Sequence, residues 1–133
     1  MKKGRTVLQA KRYGTHSCGP ATTLLTAIRL MVEDDVRSLV VQDEHGHLQG
    51  VITRVQILDA HLAHDDWGSR LVEDHMVRDV PVVAPQALLA DAARALLKSP
   101  LHEVVVVLDD GGERRPVAML TDADLAYHLV REG

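Results

Sequence analysis

The sequence predicts an α+β (α/β) protein built from two pseudo-symmetric βαββα repeats packed sheet to sheet, and three observations predict it. The chain matches itself: Val7 aligns with Val72, Pro20 with Pro85, Ala27 with Ala92 and Leu39 with Val104, each 65 residues on. A fixed internal period of this length marks a repeated structural unit. The offset then grows to 68 between Thr53 and Thr121, because Asp43 to His47 is replaced by the longer stretch from Leu108 through Asp109 to Arg115. Turns absorb such insertions, so the repeat is structural. Finally, both copies alternate short β-branched runs with stretches of helical period. The copies span residues 1–64 and 72–133, joined by a polar linker at 65–71.

Each element has its own local reason. Leu24, Ala27, Ile28, Met31 and Val32 recur at helical spacing after Pro20, and Leu89, Ala92, Ala93, Leu96 and Leu97 repeat that pattern until Ser99-Pro100 stops it. Ser38 to Gln42 and Glu103 to Leu108 are β-branched and apolar enough to be covered on both faces. A glycine-containing turn follows each, then a second strand, Leu48 to Thr53 or Pro116 to Thr121. Closing helices carry Val55, Leu58 and Leu62 in the first copy and Leu125, Leu129 and Val130 in the second. One repeat of about 60 residues is too small to bury much core alone. The copies are therefore expected to share one body, with a ligand-sized cleft between them.

Composition narrows the function. With 133 residues and no Phe, the core must be aliphatic, and the three aromatic residues, Tyr13, Trp67 and Tyr127, cannot build a base-stacking platform. Lys and Arg number 15 against 19 Asp and Glu, a net charge of -4, which argues against a phosphate-backbone partner. Cys18 stands alone, so no intramolecular disulfide can form. The basic start is not followed by a signal-type apolar segment, and no apolar run is long enough to span a bilayer. The expectation is a soluble, cytoplasmic protein with no nucleic-acid or membrane partner.

The order of motifs carries a resemblance. Val72 to Met76, Val80 to Pro85, Leu89 to Leu97, Val104 to Leu108 and Ala118 to Leu125 together resemble a tandem pair of cystathionine β-synthase (CBS) domains, a Bateman module, from about Thr6 to Val130. The first copy departs from the pattern, since Val7 to Lys11 lacks the Asp-x-Met of the opening motif. The resemblance implies a stand-alone regulatory module, not an enzyme, that senses an adenosyl ligand: AMP, ADP, ATP, S-adenosylmethionine or an NAD-like species, with or without magnesium. No covalent cofactor and no metal are expected. It also implies a homodimer built from the helices near Leu24 to Val32 and Leu89 to Leu97, or from the closing helices. Output would pass by population shift to a separate effector protein.

The same resemblance assigns the site. The pattern Gly-apolar-apolar-Thr/Ser-x-x-Asp reads Ala118-Met-Leu-Thr121-Asp-Ala123-Asp124 in the second copy. Thr121, Ala123 and Asp124 would meet ribose and phosphate, an ionised carboxylate accepting from both ribose hydroxyls and helix N-terminal amides facing phosphate. Val36, Arg37 and Ser38 would lie against the adenine, with the turn around Cys18 as a further wall. In the first copy the pattern reads Gly50-Val-Ile-Thr53-Arg-Val-Gln56. Thr53 and Gln56, walled by Leu101, His102 and Glu103, would form a second, weaker site, because Gln lacks the charge. Standing against all of this is the plain N-cap, for which Thr-x-x-Asp is a common pattern.

Two other classes are carried forward. One is a ligand-free scaffold that only dimerises or docks. The other is a metal-dependent phosphohydrolase using His61, His64 and Asp65, whose spacing places both imidazoles on one helical face. His45 and His47 flank a turn glycine, and His16 with Cys18 offers too few ligands for a metal.

Overall fold

The computed structural model describes Thr6, Val7 and residues 14–132, and the predicted order of elements appears twice. The first copy contains β1 (Ser17–Cys18), α1 (Leu24–Glu33), β2 (Ser38–Gln42), β3 (Leu48–Thr53) and α2 (Arg54–Ala63). The second contains β4 (Val82–Val83), α3 (Leu89–Lys98), β5 (Glu103–Asp110), β6 (Glu113–Thr121) and α4 (Asp122–Glu132). Short 3-10 turns at Trp67–Ser69 and Val72–Asp74 lie between them.

Two three-stranded sheets result, ordered β1-β2-β3 and β4-β5-β6. In each, the first pair is parallel and the second antiparallel, with a helix making the parallel crossover. Ser38 pairs Thr53 and Glu103 pairs Thr121, while a bulge follows Val41 in one ladder and Val106 in the other, again 65 residues apart. The copies thus repeat down to their irregularities.

The helices bury narrower stripes than the sequence suggests. On α1 the buried residues are Leu24, Ala27 and Met31, and on α3 they are Leu89, Ala92 and Leu96, whereas Val32 and Leu97 face outward. The closing helices keep more of their apolar side chains outward. On α2 the core side holds Ile57 and Ala60, leaving Val55, Leu58 and Leu62 exposed at 70%, 60% and 85%. On α4 it is His128 that is buried, while Leu129 and Val130 are exposed. Apolar residues surround so much of α2 that periodicity alone does not select its inward side.

Each half has its own core. Residues 16–79 form one compact unit, and residues from Val80 onward form the other together with Thr6, Val7, Gly14 and Thr15. The first cluster gathers Leu24, Met31, Leu39, Val41, Ile52 and Ile57, and includes Val72. The second gathers Leu89, Leu96, Val104, Val106 and Leu120, and includes Val7. Val7 and Val72 occupy matching places in the repeat, yet each packs in the core formed mainly by the other copy. Hydrogen bonds hold the exchange: Val7 N donates to Ala87 O at 2.9 Å, and Val72 N to Thr22 O at 2.8 Å. The rest of the opening segment, Leu8 to Lys11, lies outside the described residues. Among the described residues no helix is long and apolar enough to cross a membrane.

The inserted hairpin is also more ordered than a loop. Leu108 pairs Arg115, Asp109 pairs Arg114 and Asp110 pairs Glu113, so the strands run through the insertion. Only Gly111 and Gly112 remain as the turn, at φ 63° and 90°, values that favour glycine at both positions of a tight hairpin.

Candidate functional site

Both copies end their last strand in a threonine whose chain turns directly into a helix. In the second copy Thr121 is the N-cap of α4 and Asp124 stands three residues on. Thr121 N donates to Asp124 Oδ2 at 2.9 Å, Thr121 Oγ1 lies 3.2 Å from the same oxygen, and Asp124 N lies 3.3 Å from Thr121 Oγ1. This is a reciprocal capping box, which satisfies helix-end amides that have no partner within the helix. The amide of Ala123 is likewise occupied, donating to Asp122 Oδ1 at 2.9 Å. In this structure these amides meet side chains of the helix's own first turn.

The first copy builds the same box with an amide. Thr53 N donates to Gln56 Oε1 at 2.8 Å, and the Thr53 hydroxyl donates to that same oxygen. Thr53 is buried, whereas Thr121 at the matching position is only partly so. Arg54 ties the box to the strand beside it: its N donates to Arg37 O at 3.1 Å and its Nε to Val36 O at 3.1 Å. Within this unit, then, Val36, Arg37 and Ser38 are brought alongside Thr53 and Gln56. In the other, His102 and Glu103 are brought alongside Thr121 and Asp124 through the Glu103 to Thr121 pairing. His102 holds a left-handed conformation, φ 53°, and Asp35 does so at φ 52°, each just before a central strand.

Cys18 is placed elsewhere. It pairs with Val41, three residues along β2 from Ser38, or about 10 Å at the usual strand rise. It therefore sits at the end of its sheet away from Thr53. There it lines a surface hollow of about 790 Å³ together with Ser17, Gly19 to Thr22 and Gln42 to Glu44. Burial pushes its thiol up to about 11, partly offset by a hydrogen bond with Thr22. Such a thiol is a poor nucleophile at neutral pH.

The histidines make ring contacts and turn bonds. His61 makes an edge contact with Trp67, ring centroids 5.3 Å apart, and His64 one with His75 at 5.9 Å. Asp65 is exposed, and among the described residues no group of three or more His, Cys, Asp or Glu is arranged to hold a metal ion. His45 and His47 belong to the β2–β3 turn, where Asp43 Oδ1 accepts from both of their amides at 2.9 and 3.0 Å. These bonds, His47 foremost, hold the Asp43 carboxyl below its ordinary range.

Two features escaped the sequence reading. Glu103 was expected as a wall residue, but nothing in its neighbours announces that it is only 3% exposed. Buried His128 gives a fainter signal, since it follows the half-buried Leu125 by three residues on α4 and so shares its helix face.

The model of the CBS domain matches twice, at residues 14–63 and 72–131. No curated protein sequence matches. Among solved structures, the CBS-pair protein CBSX2 from Arabidopsis thaliana is 27% identical, covering 97% of this chain and 96% of its own, with a TM-score of 0.82. CBSX2 in complex with AMP is similar to the same degree, at 27% identity, 96% and 98% coverage and a TM-score of 0.83. The CBS domain pair of protein MJ0100, in complex with 5′-methylthioadenosine and S-adenosyl-L-methionine, shares the fold at 23% identity, 96% and 98% coverage and a TM-score of 0.84.

Proposed function

Because the chain belongs to the CBS-domain family, we propose that it is a non-catalytic regulatory module that senses an adenosyl ligand through Thr121 and Asp124 and passes the signal to a separate effector. The observation that carries this reading is the Thr121–Asp124 pair, which presents an ionisable carboxylate at a strand-to-helix turn, in a chain similar over nearly its whole length to a protein solved with AMP. Holding the cap occupies one carboxylate oxygen, Oδ2. A carboxylate has about four acceptor positions, so capping and binding a ribose diol are compatible. The ligand would signal by preferring one arrangement of the module over another.

A homodimer belongs to the same proposal. The outward residues Val55, Leu58 and Leu62 on α2 give it an apolar face of helical spacing, which supports self-association. Light scattering on the purified chain tests that part, with twice the monomer mass as the expected result.

The test of ligand sensing separates the cap from the ligand. Asp124→Asn keeps an acceptor for Thr121 N but removes the charge, whereas Asp124→Ala removes both. Hydrogen bonds to a charged group contribute about 1.5 to 3 kcal/mol, so Asp124→Asn is expected to weaken AMP binding by about 10- to 150-fold. In thermal-shift titrations with AMP, S-adenosylmethionine and GMP, the wild type should be stabilised by the adenosyl compounds only. Absence of any shift would favour the ligand-free scaffold.

A further inference from the structure

One residue grips the connection between α1 and β2. Arg54, the first residue of α2, donates from its Nε to Val36 O and from its backbone N to Arg37 O, each at 3.1 Å. Its Nη2 reaches Asp35 Oδ1 at 3.9 Å, so three successive residues are met from the same place. The connection needs such a hold, because Asp35 sits at φ 52°, in the left-handed region that residues with a Cβ adopt only at a cost. On its other side Val36 N donates to Met31 O at 3.0 Å, which anchors the segment to the end of α1.

The second copy closes the matching connection without an arginine. Ser99 does so from within, its Oγ accepting from Leu101 N at 3.2 Å and its O from His102 N at 3.1 Å. Asp122 stands in the place of Arg54, and a carboxylate only accepts, so it has nothing to give a backbone carbonyl. In the first copy the residue matching Ser99 is Asp34, whose Oδ2 lies 3.4 Å from His16 Nδ1. The first connection thus draws its closure from the helix that follows β3.

Resting on the adenosyl reading above, in which Val36, Arg37 and Ser38 lie against the base, we propose that Arg54 is a positioning residue for that base. It fixes the backbone of residues 36 and 37 and does not itself meet the ligand. A segment held in place before binding recognises a flat base better than a loose one, because the cost of ordering a loose segment is subtracted from affinity.

Calorimetric titrations of Arg54→Ala with AMP and with adenosine test this. Both ligands are expected to lose affinity alike, by about 2- to 10-fold, the worth of one hydrogen bond. A loss with AMP and none with adenosine would mean that the guanidinium meets the phosphate, and would overturn the inference. Arg70→Ala is the control, since it removes a side-chain bond of 3.0 Å to Asp66 in the same half of the chain. It is expected to leave both affinities unchanged; an equal loss there would also overturn the inference, by showing general loosening. Wild-type affinity for both ligands in Arg54→Ala would overturn it too, while leaving the adenosyl reading in place. A wild type that binds neither ligand removes the adenosyl reading and this inference together.

Discussion

The two copies share strand order, pairing register and even the position of a bulge, so their differences isolate what each residue does. The sharpest difference before the capping boxes is glycine against alanine. A methyl group on Gly50 would stand 2.5 Å from Val77 O and 3.1 Å from Met76 Sδ, because residues 76 and 77 run alongside β3. Val51 and Val77 exchange both backbone bonds there, at 2.9 and 2.8 Å. At the matching position Ala118 is buried beside Gly14, whose N donates to Val117 O at 2.7 Å. A methyl group on Gly14 would meet nothing within 4 Å, so it is the positive φ of 140° that favours glycine there, whereas at Gly50 it is the closeness of Val77.

The largest expected effects test whether the two cores are equivalent. Leu24→Ala and Leu89→Ala each empty a fully buried helix position and should cost about 2 to 5 kcal/mol in denaturant unfolding. Leu62→Ala, on the outer face of α2, should change monomer stability by less than about 0.5 kcal/mol. A core loss confined to one copy would break the comparison.

Cys18 sharpens it next. Its counterpart in the repeat is Val83, an ordinary apolar residue of β4. With the thiol held at about 11 instead of 9, alkylation by iodoacetamide near pH 8 should run about 100-fold slower in the folded chain than after unfolding. The raised value also has a stability sign. Its contribution is fully present below the unfolded pKa, near 9, and is lost as pH rises through about 11. Cys18→Val should remove this alkaline slope and leave neutral-pH stability little changed.

Gly50→Ala is expected to cost about 1 to 3 kcal/mol by forcing residues 76 and 77 away from β3, read as a lower melting temperature. Ala118→Gly should cost about 1 kcal/mol, through lost packing and added chain entropy. Equal costs would show that the Val77 crossing does not govern the choice at Gly50. Arg54→Ala removes the bond from Nε to Val36 O and should cost about 0.5 to 1.5 kcal/mol, read in denaturant unfolding.

Much of this was legible in the sequence. The offset of 65 residues, growing to 68 after the turn, fixes two copies and five elements in each, and the structure reproduces them within a few residues. The adjacency of Thr121 and Asp124 at a helix start was legible too, because a cap is a local interaction between residues three apart. The ends of the inserted hairpin were not, since β5 and β6 extend through residues whose composition resembles a loop. Two glycines of positive φ suffice to turn the chain there, and the remaining residues pair as strand. The inward side of α2 was not legible, for a helix with apolar residues all round carries no single period to read.

By itself, then, the sequence determined the repeat, the order of elements and the local caps, all of which depend on short-range spacing. Tertiary structure alone decided which core each opening segment joins. Val7 and Val72 are the same residue at matching positions, so no local property distinguishes joining their own copy from joining the other. Only long-range contacts do, through Ala87 for Val7 and Thr22 for Val72. The same holds for Gly50, whose need for glycine comes from the carbonyl of Val77, 27 residues later in the chain. Spacing encodes what neighbouring residues do to one another, while packing between distant segments is decided by shape and backbone bonding that no single stretch of sequence contains.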